Sequence, residues 1–326
     1  MVEISEQEEI EKIWKHAFYE LDTVVSYKIW VKNFALNLQK IWTGYSSKIL
    51  NEVGVNKTAI VIGRGPSLQK FNHLKKLSES KFNEVIICCD GALITALKAG
   101  VTPKKFKKFF VVTIDPREDT RKFYDDEIVD LYGNEIKGIF STVSNPTTIE
   151  RAEKAGIKIH WMHSLVDYNE GEKSFNQISA LMTRAKNHTN GLPAIQTGGN
   201  VGTSSWFVGW KILKCSKIVL IGINHGWEES DNLEKILTHN NTCKKIDIQE
   251  NSPSFKKLFP KIYNPDFQSY CILDPIFQYY SSGFKEFIKR SPVEITTINA
   301  TQGGSIFGER IQCVKFEDFL KEFIKI

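Results

Sequence analysis

Residues 58–68 read T-A-I-V-I-G-R-G-P-S-L, and this stretch decides the predicted fold. Its apolar, β-branched first half predicts a buried strand that ends at Gly63. Gly63 and Gly65 allow a tight turn with no Cβ atoms in the way of a phosphate, and Pro66 suits the first turn of a helix. Strand, glycine turn and helix start, in this order, are typical of a nucleotide-binding βα unit. Because Leu68 replaces the third glycine of the full G-x-G-x-x-G pattern, the loop fits two interpretations, a phosphate cradle and a plain tight turn.

Short apolar runs alternate with helical segments along the following chain. Apolar runs of this length, each closed by glycine, proline, asparagine or aspartate, predict the strands of a parallel sheet joined by crossover helices. We therefore expect an α/β fold of the Rossmann-like, doubly wound type with a mainly parallel sheet. The predicted strands are residues 58–62, 85–89, 109–114, 139–143, 157–162, 217–221 and 295–299.

Two regions depart from this alternation. Residues 1–56 place apolar side chains at three- and four-residue spacing, as in Phe34 and Leu38, which predicts an N-terminal helical segment. Residues from about 226 to 290 are irregular and predict an insertion or lid in the C-terminal half. The insertion's aromatic residues either line a ligand pocket or pack the insertion, and we favour packing for Phe255, Phe259, Tyr263, Phe267, Tyr270, Phe277, Tyr279 and Tyr280.

The composition excludes several classes of protein. The 326 residues carry 43 Lys and Arg against 38 Asp and Glu, a net charge of +5, which is too weak to indicate nucleic-acid binding. No apolar stretch is long enough to span a membrane, and the acidic, polar start is unlike a signal peptide, so we expect a cytoplasmic protein. The scattered cysteines predict neither a zinc site nor a disulfide framework; they are Cys88, Cys89, Cys215, Cys243, Cys271 and Cys313.

Polar residues and glycines follow one predicted strand after another. In open α/β sheets ligands bind along the carboxyl edge of the strands, so these turns are expected to share one edge. Each turn alone is explained by capping, whereas the whole series favours a site rich in amides, hydroxyls and glycine backbone. The series comprises Gly63-Arg64-Gly65, Asp90-Gly91, Asp115, Ser144-Asn145, Gly198-Gly199-Asn200, Asn224-His225 and Asn299-Ala300-Thr301.

Few side chains in this series can perform acid–base chemistry. Asp90 and Asp115 are its carboxylates, and two separated aspartates give thin support for a Mg²⁺ site. His225 can act as a general base or contact a phosphate, although a lone histidine is more often structural. Arg64 either pairs with a phosphate or faces solvent. The Walker A, H-x-x-x-H and G-x-S-x-G patterns are absent, which argues against P-loop, metalloprotease and α/β-hydrolase functions.

As an ordered set, six motifs resemble those of the MptE-like family. The family is named for archaeal 6-hydroxymethyl-7,8-dihydropterin diphosphokinase and includes the Maf proteins, which attach nonulosonic acids to flagellin. The G-x-G-P-S-L loop is also similar to that of bacterial sialyltransferases, where it holds a CMP-sugar. The resemblance covers roughly residues 58–304, and its motifs are G-R-G-P-S-L (63–68), C-D-G-A-L-I-T-A-L-K-A-G-V-T-P (89–103), V-T-I-D-P (112–116), G-G-N-V-G (198–202), L-I-G (220–222) and N-A-T-Q-G-G (299–304).

Departures from the family pattern bear on the reaction. The pterin diphosphokinases end the third strand in D-L-D-G, whereas this chain has Ile114-Asp115-Pro116 there, and further acidic turns are replaced by uncharged ones. The resemblance therefore implies a nucleotide-dependent transferase domain over residues 57–326, with glycosyl transfer of a sialic-acid-type sugar from a CMP donor as the first hypothesis. The alternatives are Mg²⁺- and ATP-dependent diphosphorylation of the pterin, with Asp90 and Asp115 on the metal, and a non-catalytic nucleotide- or sugar-binding protein.

The first hypothesis assigns roles to the turn residues. His225 and Asp115 are the expected catalytic residues, and no metal ligand is assigned outside the diphosphokinase alternative. The expected partners are a nucleotide or nucleotide-sugar donor and a small-molecule, glycan or protein acceptor; a homo-oligomer stays open. The expected nucleotide-binding residues are Gly63, Arg64, Gly65, Pro66, Ser67, Leu68, Asp90, Gly91, Ser144, Asn145, Gly198, Gly199, Asn200, Gly202 and Thr203, and the expected substrate-binding residues are Asn224, Asn299, Thr301, Gly303 and Gly304.

Overall fold

A computed structural model describes residues 5–17, 23–166, 174–184, 190–238 and 248–323. Its centre is a ten-stranded sheet in which every pair of neighbouring strands is parallel. The strands are β1 (Tyr45–Ser46), β2 (Thr58–Ile62), β3 (Val85–Cys89), β4 (Lys108–Thr113), β5 (Lys137–Ser141), β6 (Lys158–Ser164), β7 (Ala194–Ile195), β8 (Lys217–Ile221), β11 (Thr296–Asn299) and β12 (Ile311–Cys313); a separate antiparallel hairpin consists of β9 (Lys261–Asn264) and β10 (Ser269–Ile272).

The strand order reverses beside β2. Strands β3, β4, β5 and β6 follow β2 to one side, and the chain then crosses back to place β8, β11 and β12 on the other side. β2, β3 and most of β4 and β8 are fully buried, which explains their continuous apolar sequence. The α/β, doubly wound, parallel prediction is therefore confirmed, and its topological switch point lies between β2 and β8.

Helices cover both faces of the sheet. The longer ones are α1 (Glu6–Ala17), α2 (Thr23–Thr43), α7 (Pro146–Lys154), α8 (Phe175–Arg184) and α12 (Pro275–Lys289); the shorter ones are α3 (Ser67–Lys70), α4 (His73–Glu79), α5 (Leu93–Lys98), α6 (Glu127–Tyr132), α9 (Val201–Phe207), α10 (Leu233–Leu237), α11 (Phe255–Leu258) and α13 (Phe316–Lys321). One apolar core lies on the face covered by α2, α4, α5, α7 and α13, and a second lies under α9 and α12. No helix among the described residues is both long and apolar enough to cross a membrane.

The N-terminal segment is helical, as predicted, and α2 is tied to the sheet by two buried asparagines. Asn33 donates through Nδ2 to the carbonyls of Pro116 and Val143, at 2.8 and 3.1 Å. Asn37 donates to the carbonyls of Thr142 and Ser144, at 3.1 and 2.9 Å. These carbonyls belong to the turns that follow β4 and β5, so α2 fixes part of the carboxyl edge. A domain boundary near residue 56 stays a prediction.

Local structure differs from the sequence prediction in several places. The short strands β1, β7 and β12 were not predicted, and β1 lies in the segment expected to be helical. The helix predicted from about residue 67 to 78 is divided into α3 and α4, because Asn72 adopts a left-handed backbone with φ of 53°. The region predicted as an irregular insertion contains α10, α11, the β9–β10 hairpin and the 15-residue helix α12. Residues 239–247 of that region, including Cys243, lie outside the described residues, as do residues 1–4.

Candidate functional site

The glycine loop after β2 packs directly against the turn after β8. Gly63 donates its N–H to the carbonyl of Ile221, and Gly65 donates to the carbonyl of Gly222, both at 2.8 Å. A Cβ atom on Gly65 would lie 2.2 Å from Oδ1 of Asn224. The loop therefore needs glycine because a second backbone approaches it, and this contact lies at the switch point, where open α/β sheets bind ligands.

The rest of the G-R-G-P-S-L motif divides into buried and exposed residues. Ser67 is fully buried and donates its hydroxyl to Oδ1 of Asn224 at 3.0 Å, while Leu68 packs into the core. Arg64 and Pro66 are exposed at the rim. Of the predicted nucleotide-binding side chains in this motif, Arg64 is therefore the one placed to meet a charged ligand.

Asp90 and Gly91 lie beside Arg64, at the end of β3. A Cβ atom on Gly91 would lie 2.8 Å from Cδ of Arg64, and the Arg64 guanidinium carbon lies 5.4 Å from the centre of the Phe123 ring. Asp90 is 4 % exposed and accepts a hydrogen bond from its neighbour's N–H at 2.7 Å. Burial, together with the negative charge of Asp115, raises the pKa of Asp90 to about 7.

Asp115, after β4, is held by Arg117. Nε of Arg117 lies 3.0 Å from Oδ1 and Nη2 lies 2.6 Å from Oδ2, and the Arg117 main-chain N–H also donates to Oδ1 at 2.9 Å. The hydrogen bonds to Asp115 raise the pKa of Arg117. Asn145 donates to the Pro116 carbonyl at 3.1 Å and caps α7, while Ser144 is fully buried and donates to the Thr113 carbonyl.

The glycine-rich loop before α9 lies against α12. Asn200 caps α9 by accepting the Thr203 N–H at 2.9 Å, and its amide donates to the Gly198 carbonyl. Gly199 has a φ of 78°, and a Cβ atom there would lie 2.6 Å from the Tyr280 ring. α9 packs under β2, β3 and β4, so its first residues, which include Gly202, belong to the same edge.

His225 follows Asn224 in the turn after β8 and is enclosed by α12. Its ring centre lies 6.3 Å from that of Phe277, 6.0 Å from that of Tyr280 and 5.8 Å from that of Phe284. The side chain is 7 % exposed, and the residue has a positive φ of 40°. A non-glycine residue in this backbone region is held there by its surroundings, and such positions concentrate at functional sites.

The turn after β11 completes the switch point from the other side. Asn299 and Thr301 are fully buried and bond to main-chain groups: Asn299 donates to Ile306 and accepts from the Thr301 N–H. Gly304 packs against the backbone of Asn224, and its carbonyl accepts from Asn264 of the hairpin; Gly303 also has a positive φ. Asn299 and Thr301 thus shape the turn, and their substrate-binding role stays a prediction.

The carboxyl edge brings the predicted residues together in two groups. The turns after β2, β8 and β11 contact one another at the switch point, while Asp90, Asp115 and Arg117 form a charged group at the neighbouring ends of β3 and β4. The sequence analysis did not single out Arg117. A basic residue two positions after an aspartate is nevertheless a sequence signal for a local ion pair, as Arg117 forms with Asp115. For Tyr280 the sequence favoured packing over a place in a ligand pocket. Its contact with the Gly199 loop joins distant parts of the chain, which no local pattern reveals.

Asp90 and Asp115 do not form a ready Mg²⁺ site. Both oxygens of Asp115 accept from Arg117, and one oxygen of buried Asp90 accepts from a main-chain N–H. Among the described residues, no group of three or more His, Cys, Asp or Glu side chains is arranged to hold a metal ion. A cation bound by both carboxylates would first have to displace an arginine, so these residues do not fit that ion as they stand.

Comparisons with known proteins agree with this fold. The chain resembles the solved Maf glycosyltransferase from Magnetospirillum magneticum AMB-1 with a TM-score of 0.56 and 12% sequence identity, over 88% of this chain and 41% of that one. The chain therefore spans less than half the length of that relative. No curated protein matches the sequence.

A family profile matches more than half of the sequence. The family described as "MptE-like: 6-hydroxymethylpterin diphosphokinase MptE-like" matches residues 32–230. The match begins inside α2, earlier than the motifs alone indicate, and includes the glycine loop and the turns after β3, β4 and β8. The match ends at residue 230, before the N-A-T-Q-G-G motif, and over the earlier motifs it confirms the predicted resemblance: the chain belongs to the MptE-like family.

Proposed function

We propose that this protein is a nucleotide-dependent transferase that moves a sialic-acid-type sugar from a CMP donor to an acceptor hydroxyl. The observation that carries the proposal is the glycine loop at the switch point, packed against the turn after β8 through Gly65 and Asn224. Arg64 is exposed at the rim of the loop, where its guanidinium can bind the donor phosphate. The name of the solved neighbour, a Maf glycosyltransferase, supports glycosyl transfer as the class of reaction.

In this reaction the acceptor hydroxyl attacks the anomeric carbon, the bond to the phosphate breaks, and CMP leaves. Asp115, which the sequence predicts to be catalytic, is paired with Arg117, and this leaves His225 and Asp90 as candidates for taking the hydroxyl proton. His225 is the base expected from the sequence, and it lies beside Asn224. Asp90 has a pKa of about 7, which suits proton transfer near neutral pH. Turnover measured against pH for His225→Ala and Asp90→Asn assigns the base, because removing it abolishes the corresponding limb of the profile.

The second candidate is ATP-dependent diphosphorylation of 6-hydroxymethyl-7,8-dihydropterin, and the family description favours it. That reaction needs Mg²⁺ bound to the nucleotide phosphates and to carboxylates. The Asp115–Arg117 ion pair argues against this reaction, because Arg117 occupies one of the two carboxylates that would bind Mg²⁺. We therefore rank the CMP-sugar reaction first.

A thermal-shift screen separates the candidates. The full chain is heated with CMP, with CTP, with ATP plus Mg²⁺, and with ATP, Mg²⁺ and the dihydropterin. We expect CMP to raise the midpoint of unfolding in the absence of metal, because a ligand that binds only the folded state stabilises it. If only the additions that contain ATP and Mg²⁺ stabilise the chain, the diphosphokinase becomes the better-supported function. A non-catalytic protein would bind one of these ligands without turnover.

A further inference from the structure

Two cations and two carboxylates lie along three neighbouring strand ends. Arg64 follows β2, Asp90 follows β3, and Asp115 and Arg117 follow β4. A CMP donor of a nonulosonic acid also carries two anionic groups, the phosphodiester and the carboxylate on the anomeric carbon. Arg64 belongs to the glycine loop and is exposed there, so its guanidinium matches the phosphate. Arg117 is then available for the second anion.

We propose that Arg117 recognises the carboxylate of the donor sugar, and that Asp115 holds the place of that carboxylate until the donor binds. This inference rests on the proposed function. It extends that function by naming the residue that distinguishes a carboxylated sugar donor from a neutral one.

The geometry of the ion pair supports this role. Nε and Nη2 of Arg117 bond to separate oxygens of Asp115, at 3.0 and 2.6 Å, which is the two-point arrangement by which arginine recognises carboxylates. The Arg117 side chain is 44% exposed and that of Asp115 is 28% exposed, so a dissolved anion can reach them. A donor carboxylate offers Arg117 the same two oxygen acceptors as Asp115, so the exchange keeps the charge and the hydrogen bonds of the arginine.

The surroundings of Arg117 make it a fixed rather than a free surface cation. Asn33 and Asn145 both donate to the carbonyl of Pro116, which holds the turn between Asp115 and Arg117. On the other side, Tyr280 of α12 lies within electrostatic range of the Arg117 guanidinium, and its ring packs against Gly199. The β4 turn and α12 thus approach each other at this arginine.

The competing explanation is that Arg117 only stabilises its own turn. The two roles differ in which ligand they affect, because a structural role changes all binding at the edge, whereas carboxylate recognition changes only the carboxylated donor. CMP and the non-hydrolysable 3-fluoro analogue of CMP-N-acetylneuraminic acid are the probes, and dissociation constants are measured on the full chain by titration calorimetry.

Arg117→Met is expected to leave the dissociation constant for CMP within about twofold and to weaken the CMP-sugar analogue by about tenfold or more, the effect of losing a charged hydrogen-bonded pair. Asp115→Asn removes the competing carboxylate and is expected to strengthen binding of the analogue but not of CMP. Arg121→Met is the matched control, since Arg121 lies four residues further on, is 51% exposed and pairs with Asp125; it should change neither constant.

Three results would overturn the inference. If Arg117→Met weakens the binding of CMP and of the analogue equally, Arg117 has a structural role. If it changes neither dissociation constant, Arg117 does not belong to the binding site. Asp115→Asn tests the same point independently if Arg117→Met fails to fold. If Asp115→Asn leaves analogue binding unchanged or weakens it, the donor carboxylate does not replace Asp115 on Arg117. If the unaltered chain binds no CMP, the proposed function itself fails, which is a different result from a selective loss.

Discussion

Asp90 is a carboxyl group whose protonation the fold changes strongly. Burial, with the charge of Asp115, raises its pKa from an ordinary value of 3.8 to about 7. Between these two values the folded chain keeps a proton that the unfolded chain has released. The free energy of unfolding therefore falls by about 1.4 kcal/mol per pH unit in this window on account of Asp90.

Asp90→Asn removes this titration while keeping the size of the side chain. Relative to the unaltered protein, the variant should gain stability as pH rises from about 4 to about 7 and then stay level. Urea unfolding at several pH values measures the difference.

Asp126→Asn is the matched control for Asp90→Asn, with the opposite sign. Lys98 and the Ile128 N–H lower the pKa of Asp126, so its charged form stabilises the fold at neutral pH. That variant should lose stability relative to the unaltered protein, and the loss should vanish in acid. If the difference in free energy of unfolding between Asp90→Asn and the unaltered protein stays constant with pH, the pKa of Asp90 is not raised by folding.

Single residues were predictable where their role depends on neighbours in sequence. Gly63 and Asp90 were found because each directly follows a recognisable strand, and Gly65 because it lies two residues after Gly63. Asn33 was not, since it reaches Pro116 across 83 residues of chain. Nothing in a helical pattern distinguishes a buried asparagine that bonds to a distant carbonyl from one that faces solvent.

At the scale of elements, strands were easier to predict than the C-terminal half. β2, β3 and β8 have the predicted bounds, because an apolar run closed by glycine or aspartate leaves little choice. Helix α12 was not predicted, because it lies in the region expected to be an irregular insertion. Asp274 followed by Pro275 is nevertheless an N-terminal signal for a helix. In the structure Asp274 caps α12 by accepting the Phe277 N–H. The dense aromatics around that signal concealed the helical spacing.

Two glycines near α12 should respond in opposite ways to alanine. Gly199→Ala requires a left-handed backbone and puts Cβ against the Tyr280 ring, so it should destabilise the fold by about 1–3 kcal/mol. Gly283 lies inside α12 with no atom within 4 Å of its Cβ position, so Gly283→Ala should stabilise by about 0.5–1 kcal/mol. Chemical denaturation measures both, and effects of the same sign would show that α12 does not rest on the Gly199 loop as described.

For the whole molecule, the sequence predicted the class of fold but not the order of the strands. Alternating strands and helices require a parallel sheet, yet they do not say on which side of β2 each later strand is placed. The return of the chain to β8 creates the switch point, and it brings Gly65 and Asn224 together over more than 150 residues of sequence. The candidate site is thus a consequence of topology, which local patterns do not contain.

The central claim is that this switch point binds a nucleotide without a metal ion. Calorimetric titration of CMP into the full chain in the presence of EDTA tests it directly, with Gly65→Ala and Gly283→Ala as paired variants. Gly65→Ala pushes a Cβ atom onto Oδ1 of Asn224, whereas Gly283→Ala changes a glycine away from the loop. We predict that the unaltered protein and Gly283→Ala bind one CMP per chain with the same affinity, and that folded Gly65→Ala binds at least about tenfold more weakly. No binding by the unaltered protein in EDTA, or equal affinity in Gly65→Ala, would contradict the claim.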